Sequence, residues 1–354
     1  MANEPLRVGL IGAGGNTRKR HIPGLRAIDG VEIVAVCNRR PQSTAAAAKE
    51  YGIRKTFDHW QDLVADPEVD AVVIGTWPYL HCPITLEALA AGKHVLTEAR
   101  LALNAAEAHR MLAASKKAEP LVAQVVPSPY GLRANDVVVE LLRQGAIGQL
   151  LEAHVTCLTD ALADPAAPLS WRQDVALSGF NMLTLGILHE TLLRWVPPPV
   201  RVLAQAHAFI PTRIDPESGV RRPVGTPDSV QALAVLQNGA RALYHFSGVT
   251  KFCQEVSIRL HGTEGMVHYD LAADKLHATS KRGQPPEEVP VPAHQARDWR
   301  VEAEFVDAIR SGSPIRFTDF ATGVTYMEFT EAVARSAQRG EAVELPLEDL
   351  GQED

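Results

Sequence analysis

The sequence predicts an α/β protein in two parts: a parallel sheet covered by helices, then an α+β part with a mostly antiparallel sheet. The chain has 354 residues, more than one hydrophobic core usually holds, which favours two domains. Short apolar runs alternate with helical patterns in the first part, whereas in the second part apolar runs are separated mainly by turns. We set the domains at 1–126 and 127–354, because Pro127 and Pro129 stop the last parallel strand from continuing.

The first part is predicted to be a parallel sheet. Its strands are expected at residues 7–11, 32–37, 71–75, 94–96 and 121–126, with helices at 19–28, 43–51, 82–91 and 105–118. A parallel connection needs a long crossover, which the helices supply. The apolar runs show little polar alternation, so we expect helices on both faces of the sheet.

The second part opens with a predicted helix at 134–144 and continues as a series of strands. These are expected at residues 149–158, 200–209, 229–236, 241–248, 255–261 and 266–270. Asn238-Gly239 is a hairpin signal, and consecutive strands of this kind favour antiparallel pairing. Helices at 183–195, 299–310 and 323–338 are predicted to pack on this sheet, and 210–226 and 283–292 are predicted loops.

Composition and charge exclude several classes of protein. Hydrophobic residues make up 46% and charged residues 22%, which is typical of a globular chain and not of a collagen-like or disordered one. The net charge of −7 argues against nucleic acid or an anionic membrane surface as the main partner. We find no secretory signal, no apolar run long enough for a membrane span, and no C-x-x-C pair among the four cysteines. We therefore expect a cytoplasmic protein with buried thiols and no metal site.

The strongest local signal is the run VGLIGAGGNT at residues 8–17, between a predicted strand and a predicted helix. Gly12 permits a tight turn, and Gly14 lets the backbone approach a pyrophosphate. The helix N-terminus offers free N–H groups and a positive dipole end to the phosphates. Thr17 replaces the third glycine of the G-x-G-x-x-G pattern. In this setting the run predicts a Rossmann dinucleotide-binding domain; the alternative is a sharp turn with no ligand.

The residues after the second strand bear on the choice of dinucleotide. NAD sites normally carry an acidic residue here to bind the ribose 2′-hydroxyl, but this chain has Asn38 followed by Arg39 and Arg40. An acidic side chain would repel a 2′-phosphate, whereas guanidinium groups bind it bidentately. The sequence therefore predicts NADP(H) in preference to NAD(H); the alternative is that both arginines are solvated surface residues.

Several motifs, in order and spacing, resemble the glucose–fructose oxidoreductase / inositol dehydrogenase / MocA-like (Gfo/Idh/MocA) family over nearly the whole chain. They are GAGG at 12–15 through His21, DAVVI at 70–74, TWPYLH at 76–81, AGKHVLTE at 91–98, GAIG at 145–148, Trp171-Arg172, GTEG at 262–265 and FVDAIR at 305–310. The resemblance implies a Rossmann domain carrying an α+β domain with a large open sheet, mostly antiparallel. It also implies hydride transfer between a nicotinamide, in the cleft, and a small polar sugar-, cyclitol- or carbonyl-type substrate.

The chain departs from the family where protons are transferred. The family usually has a lysine in an E-K-P motif and an Asp and His four residues apart on a helix of the second domain. Here E-K-P reads Glu98-Ala99-Arg100, and an ungapped alignment puts Thr184 at the Asp position and Leu188 at the His position. Ala99, Thr184 and Leu188 cannot shuttle a proton near neutral pH.

Three groups are candidates for proton transfer in their place: Tyr130, His189 and a water held by Glu98. Tyr130 follows the last parallel strand and is suited to proton donation. His189 lies one residue beyond the family position, which turns it about 100° around a helix and favours a packed core histidine instead. Glu190 lies four residues before Arg194, the spacing of a helical ion pair.

The candidate substrate-binding residues are Arg100, Trp171, Arg172, Asn181 and Thr184. Arg100 suits an anionic group, or pairs with Glu98. Trp171 and Arg172 suit a polar ligand, or serve ordinary packing. Helical spacing predicts Asn181 and Thr184 on one face of a helix.

The candidate cofactor-binding residues come from the glycine loop, the second strand's end and the turns after two later strands. They are Gly12, Gly14, Gly15, Asn16, Thr17, Asn38, Arg39, Arg40, Thr76, Trp77, His81 and Glu98. His81 has a purely structural role at a helix start as its alternative.

Two functions remain open. One is an NAD(P)-dependent oxidoreductase that uses a different proton donor; the other is an NADP(H)-binding sensor that has lost catalysis, which Ala99, Thr184 and Leu188 favour. An open sheet is an apolar surface that another subunit should cover, so we expect a homodimer or homotetramer.

Overall fold

In the computed structural model, which describes residues 4–280 and 283–350, the chain divides into two units. The described residues of Met1–Pro127 and Arg300–Val324 form the first unit, and those of Ser128–Trp299 and Thr325–Asp354 form the second. The predicted domain boundary at 126/127 assigned residues 300–324 to the second domain, whereas the structure places them in the first unit.

The strands are β1 Leu6–Ile11, β2 Val31–Cys37, β3 Lys55–Phe57, β4 Ala71–Ile74, β5 His94–Thr97, β6 Ala123–Val125, β7 Leu150–Leu158, β8 Pro199–His207, β9 Thr212–Ile214, β10 Arg221–Pro223, β11 Ser229–Leu236, β12 Arg241–Ser247, β13 Glu255–Gly262, β14 Met266–Asp270, β15 Lys275–Thr279, β16 Glu287–Glu288 and β17 Val343–Glu344. The α-helices are α1 Ile22–Arg26, α2 Pro41–Tyr51, α3 Trp60–Ala65, α4 His81–Ala90, α5 Ala105–Lys117, α6 Asn135–Arg143, α7 Val175–Ser178, α8 Leu185–Leu193, α9 Val301–Ser311 and α10 Phe320–Arg339. A π-helical turn, Thr17–His21, precedes α1, and short 3₁₀ turns cover Pro78–Leu80 and Trp171–Gln173.

The first unit contains a parallel sheet of strand order β3-β2-β1-β4-β5-β6. This is the doubly wound order of dinucleotide-binding domains, with the switch point between β1 and β4. All four residues of β4 are buried, because helices cover both faces of a parallel sheet. The predicted Rossmann architecture is confirmed.

The second unit contains a sheet of order β16-β15-β14-β13-β7-β12-β11-β8-β17. Neighbouring strands are antiparallel except β7 and β12, which run parallel. One face is buried beneath α8 and α10: the Ser336 hydroxyl accepts the Ala204 amide at 2.9 Å, and His189 meets Tyr244 of β12. The mostly antiparallel sheet predicted for the second part is confirmed.

The opposite face of that sheet carries aligned leucines. Leu203, Leu233 and Leu243 lie side by side on β8, β11 and β12, and they are 45%, 59% and 38% exposed. Three neighbouring leucines at this exposure form a continuous apolar strip on the uncovered side.

Several predictions about individual elements are wrong. Helix α9, predicted to pack on the antiparallel sheet, belongs to the first unit, where Arg310 donates to the Asp29 and Gly30 carbonyls. The predicted loop 210–226 contains the β9–β10 hairpin, and the predicted loop 283–292 contains β16. Strands β3, β15 and β17 and helix α3 were missed, since short segments give little periodicity.

Two further findings concern the cysteines and the length and polarity of the helices. Cys37, Cys82 and Cys157 are buried free thiols as predicted, but the Cys253 thiol is only half-buried. Within residues 4–280 and 283–350, the helices are too short or too polar to cross a bilayer.

Candidate active site

The glycine loop between β1 and the following helix is shaped by a close approach to the end of β4. Gly12 has φ +88°, and a Cβ there would lie 2.6 Å from the Gly75 carbonyl carbon. Both the left-handed conformation and the contact require glycine. The Gly12 amide donates to Cys37 O at 2.8 Å, which ties the loop to the end of β2.

The loop accommodates the side chain of Thr17, which stands in place of the third glycine. Its side chain is 1% exposed, and its hydroxyl donates to Gly12 O at 2.9 Å. Space for it exists because residue 75 is glycine: a Cβ at Gly75 would overlap the Thr17 hydroxyl. The close approach usually provided by the third glycine is provided here from β4.

The helix after this loop begins immediately at its glycines. Residues 15–26 are continuously helical, through the π-helical turn and α1, and helix geometry leaves the first-turn amides without intrahelical acceptors. An ideal Cβ at Gly15 meets nothing within 4 Å, and Gly14 borders a cavity. Bare backbone donors beside open space fit the diphosphate of a dinucleotide.

The cavity beside the loop has a volume of about 530 Å³. Six of the predicted cofactor residues line it: Gly12, Gly14, Asn38, Arg39, Thr76 and Trp77. The predicted residues that do not line it are Gly15, Asn16, Thr17, Arg40, His81 and Glu98. The cavity thus spans the glycine loop, the end of β2 and the turn after β4, at the carboxyl edge of the sheet.

At the end of β2 the two arginines differ. Arg39 lines the cavity, with its guanidinium carbon 5.0 Å from the centre of the Trp77 ring. Arg40 is the N-cap residue of α2 and is exposed. Asn38 faces inward: its Oδ1 accepts the Ala13 amide at 2.7 Å and its Nδ2 donates to Ser43 O at 2.9 Å. The Asn38 side chain therefore fixes the glycine loop.

Sequence reasoning missed several cavity residues. They are Ser43, Asp58, His59, Trp60, Gln61, Tyr79 and Leu80. Most follow β3 or lie in the 3₁₀ turn before α4, and β3 was not predicted. The dipeptide Asp58-His59 before the apolar helix α3 is the signal that would have indicated a strand-to-helix junction.

His81 and Arg100 lie together behind the turn after β4. His81 is fully buried; its Nδ1 lies 2.8 Å from Arg100 O and its Nε2 lies 3.1 Å from Thr76 O. Burial lowers the pKa of His81, so one ring nitrogen donates and the imidazole is neutral. His81 occupies the structural position that was its alternative, and Arg100 is itself 6% exposed.

Glu98 follows β5 and joins a buried charged cluster that was not predicted. Its carboxylate accepts hydrogen bonds from Asn16 Nδ2 and His21 Nε2, the latter at 2.9 Å. His21 Nδ1 lies 2.5 Å from Glu302 Oε1 on α9. Burial raises the pKa of Glu98, but the hydrogen bonds from His21 and Asn16 together with the charge on His21 outweigh burial and hold that pKa below its ordinary value.

In the second unit, a buried ion pair fixes the loop that carries Tyr130. Arg194 binds Glu190 through two hydrogen bonds of 3.0 and 2.6 Å, which confirms the predicted i,i+4 pair. The Ser128 amide donates to Glu190 Oε2 at 2.9 Å, and Arg194 donates to the carbonyls of Ser128 and Tyr130. These bonds leave little freedom to the backbone of residues 128–130.

Tyr130 shares its surroundings with the Cys157–Thr184 pair. The Thr184 hydroxyl lies 3.3 Å from Cys157 Sγ. Burial, with a smaller contribution from Cys157, raises the pKa of the Tyr130 phenol. The phenol therefore stays protonated at neutral pH and is suited to donating a proton rather than to accepting one.

His189 is a core residue, as its alternative interpretation held, and it is withdrawn as a catalytic candidate. It is fully buried, its Nδ1 lies 2.9 Å from the Tyr244 hydroxyl, and its ring stacks on Phe329 at 3.8 Å. Burial lowers its pKa to about 3. A neutral imidazole enclosed by aromatic rings has no route to exchange a proton with a substrate.

The remaining substrate candidates differ in their exposure to solvent. The Arg172 guanidinium lies 4.2 Å from the Trp171 ring centre, and Arg172 is exposed. Asn181 is buried, donates to Ser178 O at 2.7 Å and precedes α8; the prediction that it shares a helix face with Thr184 is wrong, because α8 begins only at Leu185. Among the described residues there is no group of three His, Cys, Asp or Glu side chains suited to a metal ion.

Comparison with known proteins agrees with this architecture. Residues 6–125 match a family described as an oxidoreductase family with an NAD-binding Rossmann fold, and residues 137–268 match the GFO/IDH/MocA C-terminal domain. The chain is 30% identical to 1,5-anhydro-D-fructose reductase of Ensifer adhaerens over 96% of this chain and 98% of that one. It is 26% identical to levoglucosan dehydrogenase of Pseudarthrobacter phenanthrenivorans over 96% and 98% of the two chains.

A solved structure gives the same picture. The complex of levoglucosan dehydrogenase with NADH and L-sorbose superposes with a TM-score of 0.83 at 25% identity, covering 96% of this chain and 99% of that one. The matched residues thus come from both units of this chain.

Proposed function

The chain belongs to the Gfo/Idh/MocA oxidoreductase family, and from this premise we propose that it is an NADP(H)-dependent oxidoreductase acting on a small polar sugar-, cyclitol- or carbonyl-type substrate. The observation that carries the proposal is the helix that begins at Gly15, whose first-turn amides directly follow a glycine loop bordering a cavity of about 530 Å³. Relatives that act on 1,5-anhydro-D-fructose and levoglucosan support the substrate class. When bound, the dinucleotide supplies or accepts the hydride.

The preference for NADP(H) is argued from charge at the end of β2. Asn38 is committed to the Ala13 amide and Ser43 carbonyl and carries no charge to repel a phosphate. Arg39 borders the cavity beside Trp77, where its guanidinium is suited to binding a 2′-phosphate. Asp58 borders the same cavity and is the group that would oppose this preference.

Proton transfer is assigned to Tyr130, with Glu98 as a holder of water or cofactor. The raised pKa of Tyr130 keeps a phenolic proton available for the oxygen of a carbonyl that receives the hydride. Glu98, whose pKa is lowered, stays ionised and is suited to accepting hydrogen bonds. This division of roles favours reduction of a carbonyl as the direction supported at neutral pH.

The substrate is assigned to polar groups of the second unit and to Arg100. Thr184, beside Cys157, and Asn181 offer hydroxyl and amide partners for a polyhydroxylated molecule. Trp171 and Arg172 offer a stacked ring and guanidinium. We further propose a cytoplasmic homodimer or homotetramer that covers the exposed leucine strip of the antiparallel sheet.

A second function, an NADP(H)-binding sensor without catalysis, is favoured by one specific observation. The family's proton-transfer positions hold Ala99, Thr184 and a fully buried Leu188, and Thr184 is directed to a thiol. A sensor would keep the dinucleotide cavity and dispense with Tyr130.

The test has two arms. Titration of NADPH and NADH into the wild type, Arg39→Ala and Arg40→Ala should give tighter NADPH binding, and only Arg39→Ala should lose it, by about tenfold. Arg40 is the matched control because it lies outside the cavity. In the second arm, small ketones and oxidised sugars are screened with NADPH, and Tyr130→Phe should lower kcat at least 100-fold. Binding without turnover on any substrate would favour the sensor, and equal affinity for NADH would refute the NADP(H) preference.

A further inference from the structure

A fully buried histidine connects the first helix to α9 through two carboxylates. His21 is 0% exposed, and its two ring nitrogens meet Glu98 Oε1 at 2.9 Å and Glu302 Oε1 at 2.5 Å. An imidazole can donate through both nitrogens only when it is protonated. The geometry therefore describes an imidazolium between two carboxylates, with a net charge of −1 for the three groups.

The cluster ends on a carboxylate that is not fully buried. The side chain of Glu98 is 14% exposed, whereas those of His21 and Glu302 are 0% and 3% exposed. Glu98 follows β5 at the carboxyl edge of the parallel sheet, and its amide donates to Ile74 O of β4 at 2.9 Å. Its other donor, Asn16, belongs to the first turn after the glycine loop. The accessible part of the cluster is thus at the edge where doubly wound sheets bind ligands.

The distant partner is held in a space shaped for it. Glu302 lies in the first turn of α9, 281 residues from His21 in sequence. A Cβ at Gly24 would lie 2.6 Å from Glu302 Oε2, so the small residue on α1 makes room for the carboxylate. An ion pair within one helix, such as Arg335 with Glu331, forms between neighbouring turns and needs no space on a second helix.

The charges around His21 leave it protonated at neutral pH. Burial lowers the pKa of His21, but the hydrogen bonds that its ring donates to Glu302 and Glu98, with the charges of these two carboxylates, outweigh burial and raise that pKa to about 9. His81, which lies near Glu98, is neutral. Arg18, on the same helical turn as His21, binds Ala13 O and Glu50 instead. The groups that set the charge of His21 are therefore the two glutamates.

We propose that His21 and Glu302 are positioning residues that hold the Glu98 carboxylate ionised and oriented to accept a hydroxyl or amide donor of the bound dinucleotide. The inference rests on the proposed dinucleotide site. Loss of the His21 proton would leave two adjacent carboxylates uncompensated beside a site for an anionic diphosphate, and binding would weaken.

The test measures NADPH affinity from pH 6 to pH 10 in the wild type, Glu302→Gln and Glu331→Gln. The wild type should bind with constant affinity from pH 6 to 8 and lose about tenfold as the pH passes about 9. In Glu302→Gln, which keeps the shape but removes one charge, the midpoint should move down by at least one pH unit. Affinity at pH 6 should stay within about threefold of the wild type. Glu331→Gln, a second buried glutamate in an ion pair, should keep the wild-type midpoint.

A separate measurement distinguishes this inference from the dinucleotide site itself. Histidine NMR titration of the protein without nucleotide, with His21 assigned through His21→Asn, should give a midpoint above 8. A midpoint below 7, or an unshifted binding profile in Glu302→Gln, overturns the inference while the dinucleotide site stands. Failure of the wild type to bind either nucleotide overturns the dinucleotide site, and the inference with it.

Discussion

His21 and His189 are both completely buried, one in each unit, yet their pKa values move in opposite directions. His21 lies between two carboxylates and has its pKa raised to about 9; His189 lies against Phe329 and Tyr244 and has its pKa lowered to about 3. Burial acts in the same sense on both, so the neighbours decide the charge. The charged histidine belongs to a network that reaches the sheet edge, and the neutral one supports a core.

We expect the largest effect on this comparison when the Glu302 carboxylate beside His21 is removed. Glu302→Ala leaves the buried imidazolium with one carboxylate partner instead of two, and it opens a cavity beside Gly24. We expect a loss of about 3 kcal/mol in the free energy of unfolding at pH 7, measured by urea denaturation. Glu302→Gln, which fills the same space, should lose about 1 kcal/mol. A Glu302→Gln variant as stable as the wild type would mean that the charge contributes nothing.

The pH dependence of stability should separate the two histidines. The folded pKa of His21 lies above its unfolded value near 6.5, so its contribution is complete below about pH 6.5 and is lost as the pH rises through 9. The folded pKa of His189 lies below its unfolded value, so its contribution is present above about pH 6.5 and is lost as the pH falls toward 3.

At 1.36 kcal/mol per pH unit, the wild type should lose about 2 kcal/mol through His21 between pH 7 and 8.5, and about 2 kcal/mol through His189 between pH 6.5 and 5. His21→Asn should remove only the alkaline loss, and His189→Leu only the acidic one. Denaturation series across pH measure both. If His21→Asn removed the acidic loss of stability, or His189→Leu the alkaline one, the charge states given to the two histidines would be wrong.

The smallest effect sharpens the neutral side of the comparison. Tyr244→Phe removes the hydroxyl that lies 2.9 Å from His189 Nδ1 and should cost about 1 kcal/mol by thermal or urea unfolding. Below about pH 6.5, its free energy of unfolding should fall with pH at the wild-type slope, because stacking against Phe329 still excludes water from the His189 ring. A variant as stable as the wild type would show that this hydrogen bond is dispensable.

The sequence predicts the fold well because the fold depends on local patterns. β11 and β14 match their predicted bounds, 229–236 and 266–270, since alternating burial along a strand is visible in its residues. The glycine loop is equally visible, because the left-handed backbone conformation at residue 12 favours glycine, and a glycine can be read from the sequence. Thr17 departs from the pattern, and the reason lies at Gly75, outside the motif.

The candidate site was harder to predict wherever a side chain serves a distant partner. Asn38 occupies the ribose position of the motif but bonds to the Ala13 amide, and His21 finds Glu302 only through the return of α9 to the first unit. A single sequence contains no sign of such pairings. His189 shows the converse: its helical position was sufficient to favour a core role.

The central claim is that the glycine loop and the first-turn amides of the helix after it bind the diphosphate of a pyridine nucleotide. Calorimetric titration of NADPH into the wild type and Gly14→Val tests it most directly, because residue 14 borders the cavity and the nearest atom to a Cβ there, Gly75 O, is at an ordinary 3.6 Å. The account predicts that the variant folds with a Tm within about 3 °C of the wild type and loses at least 100-fold in affinity, as expected where backbone must approach the phosphates. An unchanged affinity in Gly14→Val, or no binding by the wild type, would contradict it.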